Sequence, residues 1–180
     1  MAILWVKFNP LPRKGIYIKT INYPLVICGV VASGKTTIAQ RIAAELELPF
    51  VDADDLHSAA NRKKMSEGVA LQDEDRASWL DEVSKAMDRP VVVSCSALKR
   101  KYRQHLRNRH ADAVFLFLNV SKSELQTRLE NRTGHFMSPS LLDSQLAIVE
   151  PIGIDEPGIN LDGERSIEDI LKSAHEYINR

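Results

Sequence analysis

The stretch Gly29-Val30-Val31-Ala32-Ser33-Gly34-Lys35-Thr36 decides the fold, because it matches the phosphate-binding pattern G-x-x-x-x-G-K-[S/T]. A short apolar run at 25–28 precedes it, and a helical pattern follows in which Ile38, Ile42 and Leu46 are spaced four apart. A strand, a glycine-containing turn and a helix in this order are the context that the pattern requires. The sequence therefore predicts a P-loop, the turn that binds the phosphates of a nucleotide.

Each position of the predicted P-loop has an expected contact with ATP. Gly29 and Gly34 allow backbone angles that other residues resist, so the N–H groups of the loop can turn toward a phosphate. We expect Lys35 to reach the β- and γ-phosphates and the hydroxyl of Thr36 to hold Mg²⁺. The full set of predicted ATP-binding residues is Gly29, Val30, Val31, Ala32, Ser33, Gly34, Lys35, Thr36, Thr37 and the more distant Arg128.

Length and composition limit the class of protein. The chain of 180 residues is 44% apolar and 27% charged, which is typical of one globular domain. Its formal net charge is zero, which argues against a nucleic-acid partner, and no apolar run approaches the roughly 20 residues that span a membrane. Cys28 and Cys95 lie in apolar runs, so we expect reduced core thiols in a cytoplasmic protein.

Residues 1–24 differ from the rest of the chain. They contain four basic residues, three prolines and no acidic residue, and they lack the apolar segment of a secretory signal. We expect a loosely ordered extension or a start codon placed too early. A transit peptide is an alternative, although the prolines and the absence of serine disfavour it. The predicted single kinase domain is then 25–180.

Apolar runs alternate with amphipathic helical patterns along this domain. The strand-like runs are 25–28, 49–51, 91–94, 114–118 and 158–161, and the helical patterns are 36–48, 96–109, 121–132, 138–149 and 166–178. Because these strands lack polar alternation, they predict a five-stranded parallel sheet in a three-layer α/β/α fold. Two polar inserts, at about 54–80 and 133–142, are expected to bind substrate and to form a lid, respectively.

Missing motifs narrow the choice among P-loop proteins. No N-K-x-D segment is present for reading guanine, and Asp155-Glu156-Pro157-Gly158 lies too late in the chain to be anything but a turn. A typical ATPase has an acidic residue after the third strand, where this chain has Ser94-Cys95-Ser96. We therefore expect Asp52, after the second strand, to support the Mg²⁺ bound to Thr36. This arrangement is typical of small-metabolite and nucleoside-monophosphate kinases.

Three groups of residues beyond the P-loop resemble the gluconokinase family. The first group is Asp52-Ala53-Asp54-Asp55-Leu56-His57, Asn61, Lys64-Met65, Gly68 and Leu71-x-Asp73-x-Asp75-Arg76-x-x-Trp79-Leu80. The second is Cys95-Ser96-Ala97-Leu98-Lys99-x-x-Tyr102-Arg103. The third is Arg128-x-x-x-Arg132-x-Gly134-His135-Phe136-Met137, Leu141-Leu142-x-Ser144-Gln145 and Glu150-Pro151. The similarity extends from about Leu25 to the C-terminus, with departures at Val31-Ala32, Ala53 and Pro139.

This resemblance implies that the γ-phosphoryl group of ATP is transferred, with Mg²⁺, to the 6-hydroxyl of D-gluconate. It also implies a homodimeric enzyme of carbohydrate acid catabolism, whose product feeds the pentose phosphate pathway. Two other readings stay open. The acceptor of a kinase on this scaffold could instead be shikimate or a nucleoside monophosphate. The chain could also be a non-catalytic nucleotide-binding regulator, although a mere binder needs neither a proton acceptor nor cations on a lid.

Specific side chains are expected to carry the transfer. Asp54 should orient the attacking hydroxyl and accept its proton, and His57 and His135 should contact the sugar. Lys99 and Arg103, four apart near a strand end, should bind the substrate carboxylate or a phosphate. Arg128 and Arg132 should neutralise charge on the transferring phosphoryl group. Two of these roles have a structural alternative. The basic run 99–109 could simply be the solvated face of a helix, and Arg128 could form a surface ion pair with Glu124.

Overall fold

The computed structural model describes residues 20–131 and 139–180. Its strands are β1 Leu25–Cys28, β2 Phe50–Asp52, β3 Val92–Cys95, β4 Val114–Asn119 and β5 Gly158–Asp162. Its helices are α1 Lys35–Glu45, α2 Ala59–Ser66, α3 Asp73–Ala86, α4 Arg100–Arg107, α5 Lys122–Glu130, α6 Pro139–Leu146 and α7 Ile167–Ile178, and a 3₁₀ turn at Ala53–Leu56 follows β2.

The five strands form one parallel sheet in the order β2-β3-β1-β4-β5. Successive residues of β1 face opposite sides: Val26 and Cys28 pack into one apolar cluster, and Leu25 and Ile27 pack into another. The first cluster includes Trp79 of α3, so helices cover both faces of the sheet. The predicted three-layer α/β/α fold with a five-stranded parallel sheet is confirmed.

Two of the helix boundaries that differ from the prediction have a reason in the backbone. The helix predicted for 96–109 begins only at Arg100, because residues 96–99 form a loop in which Ala97 has a φ of 34°. The helix predicted for 36–48 ends at Glu45, and Glu47, with a φ of 54°, lies in the left-handed region just beyond it. Neither position carries a glycine that would have marked the break in the sequence.

The described part of the chain begins within the predicted N-terminal extension. Ile21 is only 3% exposed and packs beneath α1 and α7, and the carbonyl of Pro24 accepts a hydrogen bond from the N–H of Val114. Cys28 and Cys95 are both buried free thiols, and burial raises the pKa of Cys28 to about 12. In the residues that the structure describes, no helix is long and apolar enough to cross a membrane.

Candidate active site

The P-loop lies between β1 and α1, at the carboxyl edge of the sheet. Gly34 has a φ of 91° and caps the N-terminus of α1, where the helix partial charge favours a phosphate. A Cβ atom on Gly29 would lie 2.4 Å from Oγ of Ser33, so this position has no room for a side chain. Oγ of Ser33 is buried and has no hydrogen-bond partner among the described residues. This polar, tightly turned loop fits a bound phosphate tail.

Ala32 occupies the left-handed region, with a φ of 61°. For a residue with a Cβ atom this conformation costs about 1 kcal/mol, which a glycine would avoid. The departure at Val31-Ala32 therefore places backbone strain within the P-loop. Lys35 begins α1 directly after this turn, and Thr37 lies exposed in the first turn of the helix.

Three oxygen-bearing side chains meet beside the P-loop. The hydroxyl of Thr36 donates to Oδ2 of Asp52 at 3.1 Å and lies 3.5 Å from Oγ of Ser94. Asp52 and Ser94 are neighbours because they are paired across β2 and β3. Hydroxyl and carboxylate oxygens suit Mg²⁺, which usually takes few protein ligands and completes its shell with water and phosphate. The predicted pair, Thr36 and Asp52, is thus brought together, and the structure adds Ser94.

Asp54 lies in the 3₁₀ turn that follows β2, with its side chain exposed at the carboxyl edge of the sheet. Its backbone N–H donates to Oδ1 of Asp52 at 3.1 Å, which ties the backbone of this turn to the Asp52 carboxylate. The indole Nε1–H of Trp79 donates to the carbonyl of Ala53 at 2.7 Å and holds this turn from below. Asp54 is therefore an accessible carboxylate on a braced turn, close to the predicted Mg²⁺ ligands.

His57 ends this turn and is almost completely buried, at 6% exposed. Its ring stacks on Trp79 with the centroids 4.4 Å apart and the planes 11° from parallel. Burial lowers the pKa of His57, so the ring is neutral near pH 7. Its Nδ1 is buried and has no hydrogen-bond partner among the described residues.

The substrate-binding insert predicted at 54–80 is built around α2 and the start of α3. Asn61 donates to the carbonyl of Asp75 at 2.7 Å, and Lys64 forms a 2.6 Å ion pair with the Asp75 side chain. Asp75 and Trp79 hold the insert together through these contacts and the hydrogen bond of Trp79 to Ala53. The cap of α2 is Ser58, whose hydroxyl accepts a hydrogen bond from the N–H of Asn61 at 3.1 Å.

A cavity of about 210 Å³ opens between the insert, the N-terminus of α4 and α6. Its lining residues are Ala70, Leu71, Gln72, Asp73, Arg76, Lys99, Ser144 and Ile148. We call this space the acceptor cavity. Two cations, Arg76 and Lys99, face a single carboxylate, Asp73, so the cavity has a positive excess that suits an acidic ligand.

Lys99 is held at the wall of the acceptor cavity by Asp73. Nζ of Lys99 lies 2.8 Å from Oδ1 of Asp73. The same oxygen accepts a hydrogen bond from the Tyr102 hydroxyl, and Oδ2 of Asp73 accepts one from Lys101. The bonds from Lys101 and Lys99 hold the pKa of Asp73 well below its usual range, so it stays ionised. Lys99 is thus at the predicted place. Arg76, which was not predicted as a substrate-binding residue, lines the cavity together with Lys99.

The structure corrects the prediction that Arg103 binds substrate. Arg103 is 0% exposed and forms a bidentate ion pair with Glu156, at 2.7 and 2.8 Å. Its guanidinium also donates to the backbone carbonyls of Ala97, Leu98, Glu150 and Pro151. Lys99 and Arg103 do not share a helix face, because α4 starts after Lys99. Arg103 is a buried connector between the loop after β3 and the segment before β5.

Arg128 contacts both its predicted helix partner and the P-loop. Its Nε lies 2.8 Å from Oε1 of Glu124, and its terminal nitrogens donate to the carbonyls of Ser33 at 3.3 Å and Gly163 at 2.9 Å. The guanidinium is therefore anchored beside the P-loop, within reach of a bound nucleotide. Arg132, His135 and most of the lid predicted at 133–142 lie outside the described residues.

Fold and site together define a P-loop kinase, and comparison with known proteins agrees. The family profile "Shikimate kinase" matches residues 31–147. A shikimate kinase structure from Bacteroides thetaiotaomicron, 18% identical with a TM-score of 0.63 over 89% of this chain and 100% of that one, shares the fold.

Closer relatives are gluconokinases. The gluconokinase of Gluconobacter oxydans is 44% identical over 155 residues, covering 82% of this chain and 86% of that protein. The thermoresistant gluconokinase of Escherichia coli is 35% identical over 162 residues, covering 86% and 93%. The structure of a gluconokinase from Sinorhizobium meliloti superposes with a TM-score of 0.82 at 39% identity, over 88% of this chain and 92% of that one. The chain belongs to the gluconokinase family.

Proposed function

We propose that this protein phosphorylates D-gluconate at its 6-hydroxyl with ATP and releases 6-phospho-D-gluconate. The observation that carries the proposal is one of placement. The P-loop follows β1, the accessible Asp54 follows β2, and Lys99, which lines the acceptor cavity with Arg76, follows β3, in a chain 35–44% identical to gluconokinases.

The nucleotide side of the reaction uses the P-loop and its neighbours. The N–H groups of Val31 and Ser33 donate within the protein, so the remaining N–H groups of the loop and Lys35 bind the phosphates, and Arg128 adds positive charge beside them. Thr36 and Asp52, with Ser94 behind them, would hold Mg²⁺. When bound, this ion neutralises phosphate charge, which is the main electrostatic demand of phosphoryl transfer.

The acceptor side uses the turn after β2 and the acceptor cavity. Asp54 orients the 6-hydroxyl and accepts its proton as the oxygen attacks the γ-phosphorus. His57, which is neutral near pH 7, is expected to contact a sugar hydroxyl. Lys99 and Arg76 bind the carboxylate of gluconate. Arg132 and His135 are expected to join this site from the lid.

The alternatives receive less support. Shikimate also carries a carboxylate and would suit the cations of the cavity, but the shikimate kinase structures match at 15–18% identity while the gluconokinases match at 35–44%. A regulator without catalysis would not need Asp54 on a braced turn. We also propose that the enzyme acts as a homodimer in the cytoplasm, in keeping with the family resemblance and with the buried, free thiols.

The direct test is to identify the product. Purified protein is incubated with ATP, Mg²⁺ and D-gluconate, and ³¹P NMR follows the appearance of a phosphomonoester at C6. We expect ADP and 6-phosphogluconate in equal amounts, and a rate at least about 100-fold lower for Lys35→Ala. Stoichiometric ADP without phosphogluconate, or no turnover by the wild type, would refute the proposal.

A further inference from the structure

An unusual hydrogen bond joins the P-loop to a distant helix. The backbone N–H of Val31 donates to Oε1 of Gln145 in α6 at 2.7 Å, across 114 positions of sequence. A backbone N–H can only donate, so the carboxamide must present its oxygen to the loop. Val31 is 5% exposed, and water has little access to replace this partner.

The bond fixes one peptide plane of the P-loop at both ends. The carbonyl of Val30 belongs to the same peptide as the N–H of Val31, and it accepts from the N–H of Ser33 at 3.2 Å. The next residue is Ala32, which is held in the left-handed region. Without Gln145, a buried N–H would lose its partner, and this peptide would be free to rotate beside a strained residue.

The helix that carries Gln145 also forms a wall of the acceptor cavity. Ser144 of α6 and Ile148, two residues beyond the end of the helix, line the cavity, and Gln145, next to Ser144, contacts the P-loop. Leu142, one turn earlier, is 2% exposed in the apolar core and anchors α6 against the sheet. A shift of α6 caused by a ligand in the cavity therefore reaches the phosphate-binding backbone through one side chain.

We propose that Gln145 is a positioning residue that couples acceptor binding to the geometry of the P-loop. A sugar acid in the acceptor cavity fixes α6, and Gln145 then holds the peptide before Val31 in the orientation that suits the phosphate tail of the nucleotide. By linkage, bound nucleotide strengthens acceptor binding by the same factor. This inference rests on the proposed function, because it takes gluconate as the ligand of the cavity.

The test measures that coupling in the absence of turnover. Calorimetry gives the Kd of ADP with and without saturating gluconate, in Mg²⁺, for the wild type, Gln145→Met and Gln126→Met. Methionine resembles glutamine in size but offers no strong acceptor, and Gln126 is exposed on α5 and serves as the matched control. We expect gluconate to tighten ADP binding at least about fivefold in the wild type and in Gln126→Met, and less than about twofold in Gln145→Met.

A second variant, Gln145→Glu, shows whether a loss of coupling in Gln145→Met comes from the missing hydrogen-bond acceptor or from general unfolding. Gln145→Glu keeps an acceptor for the N–H of Val31 and adds a negative charge near the phosphates. ADP affinity should fall with and without gluconate, so the ratio of the two Kd values should stay near that of the wild type. Wild-type coupling in Gln145→Met, loss of coupling in Gln145→Glu, or no coupling in the wild type would each overturn the inference. A wild type that fails to phosphorylate gluconate contradicts the proposed function, whereas an active wild type with unaltered coupling in Gln145→Met contradicts only the role of Gln145.

Discussion

Asp54 and Asp55 are adjacent carboxylates in one 3₁₀ turn, and their surroundings separate their roles. The N–H of Asp54 is tied to Asp52 beside the predicted Mg²⁺ ligands, whereas the carbonyl of Asp55 accepts from Arg62 on the outer side of α2. We expect Asp54→Asn to lower kcat by about 10²–10⁴-fold with little change in the KM for ATP, because the amide cannot accept the proton. Steady-state kinetics at saturating gluconate measure both constants.

The control for this variant is Asp55→Asn, which removes the same charge one residue away. Its kcat should stay within about threefold of the wild type, since Asp55 is exposed and lies outside the proposed proton transfer. Equal losses of kcat and ATP affinity in Asp54→Asn would assign Asp54 a structural role instead.

His57 should make stability depend on pH. Burial lowers its pKa in the folded state, so below pH 6.5 the unfolded chain binds more protons at this position than the folded protein. Its contribution is complete above pH 6.5 and is lost as the pH falls through the folded-state pKa. Urea unfolding at pH 7.5 and 5.5 should show a larger loss for the wild type than for His57→Phe, which keeps an aromatic ring against Trp79. An equal loss in both proteins would contradict this origin of the pH dependence.

Individual residues of the site differ in how well the sequence predicts them. The P-loop and Asp54 lie within local patterns, so a short stretch is enough to find them. Ser94 joins Thr36 and Asp52 only through the register of β2 and β3, and Arg76 reaches Lys99 only after the insert has folded. Gln145 contacts a loop 114 positions away, and no local pattern predicts that pairing.

At the scale of elements, α4 shows how two similar basic residues diverge. Arg100 is exposed and pairs with Asp155, whereas Arg103 is buried and pairs with Glu156. Arg103→Met should destabilise the protein by about 3–5 kcal/mol, because it leaves Glu156 buried without its partner. Arg100→Met should cost less than about 1 kcal/mol, as is usual for an exposed pair.

Urea denaturation of both variants measures this difference. If Arg103→Met lowered the free energy of unfolding no more than Arg100→Met does, the ion pair with Glu156 would not hold the loop after β3 to the segment before β5. The sequence misassigned Arg103 because the apolar periodicity extends the helix back to residue 96, which would place Lys99 and Arg103 on one face. The left-handed backbone at Ala97 breaks that helix, and no glycine or proline announces the break.

At the scale of the whole molecule, the order of strands and helices was predictable because short, continuously apolar runs alternate with amphipathic helical patterns along the chain. The acceptor cavity could not be predicted from the sequence, because its walls come from the insert, the N-terminus of α4 and α6, which are far apart in sequence. The molecule thus presents its nucleotide loop and its acidic-ligand cavity at one edge of the sheet, as expected for parallel α/β folds.

The most direct measurement of the central claim is an ADP-release assay with four acceptor conditions: D-gluconate, shikimate, nucleoside monophosphates and no acceptor. We predict that kcat/KM for gluconate exceeds that for every other acceptor by at least about 100-fold, and that ADP release without acceptor is slow. An equal or higher kcat/KM with shikimate or a nucleoside monophosphate, or ADP release that does not depend on gluconate, would contradict the account.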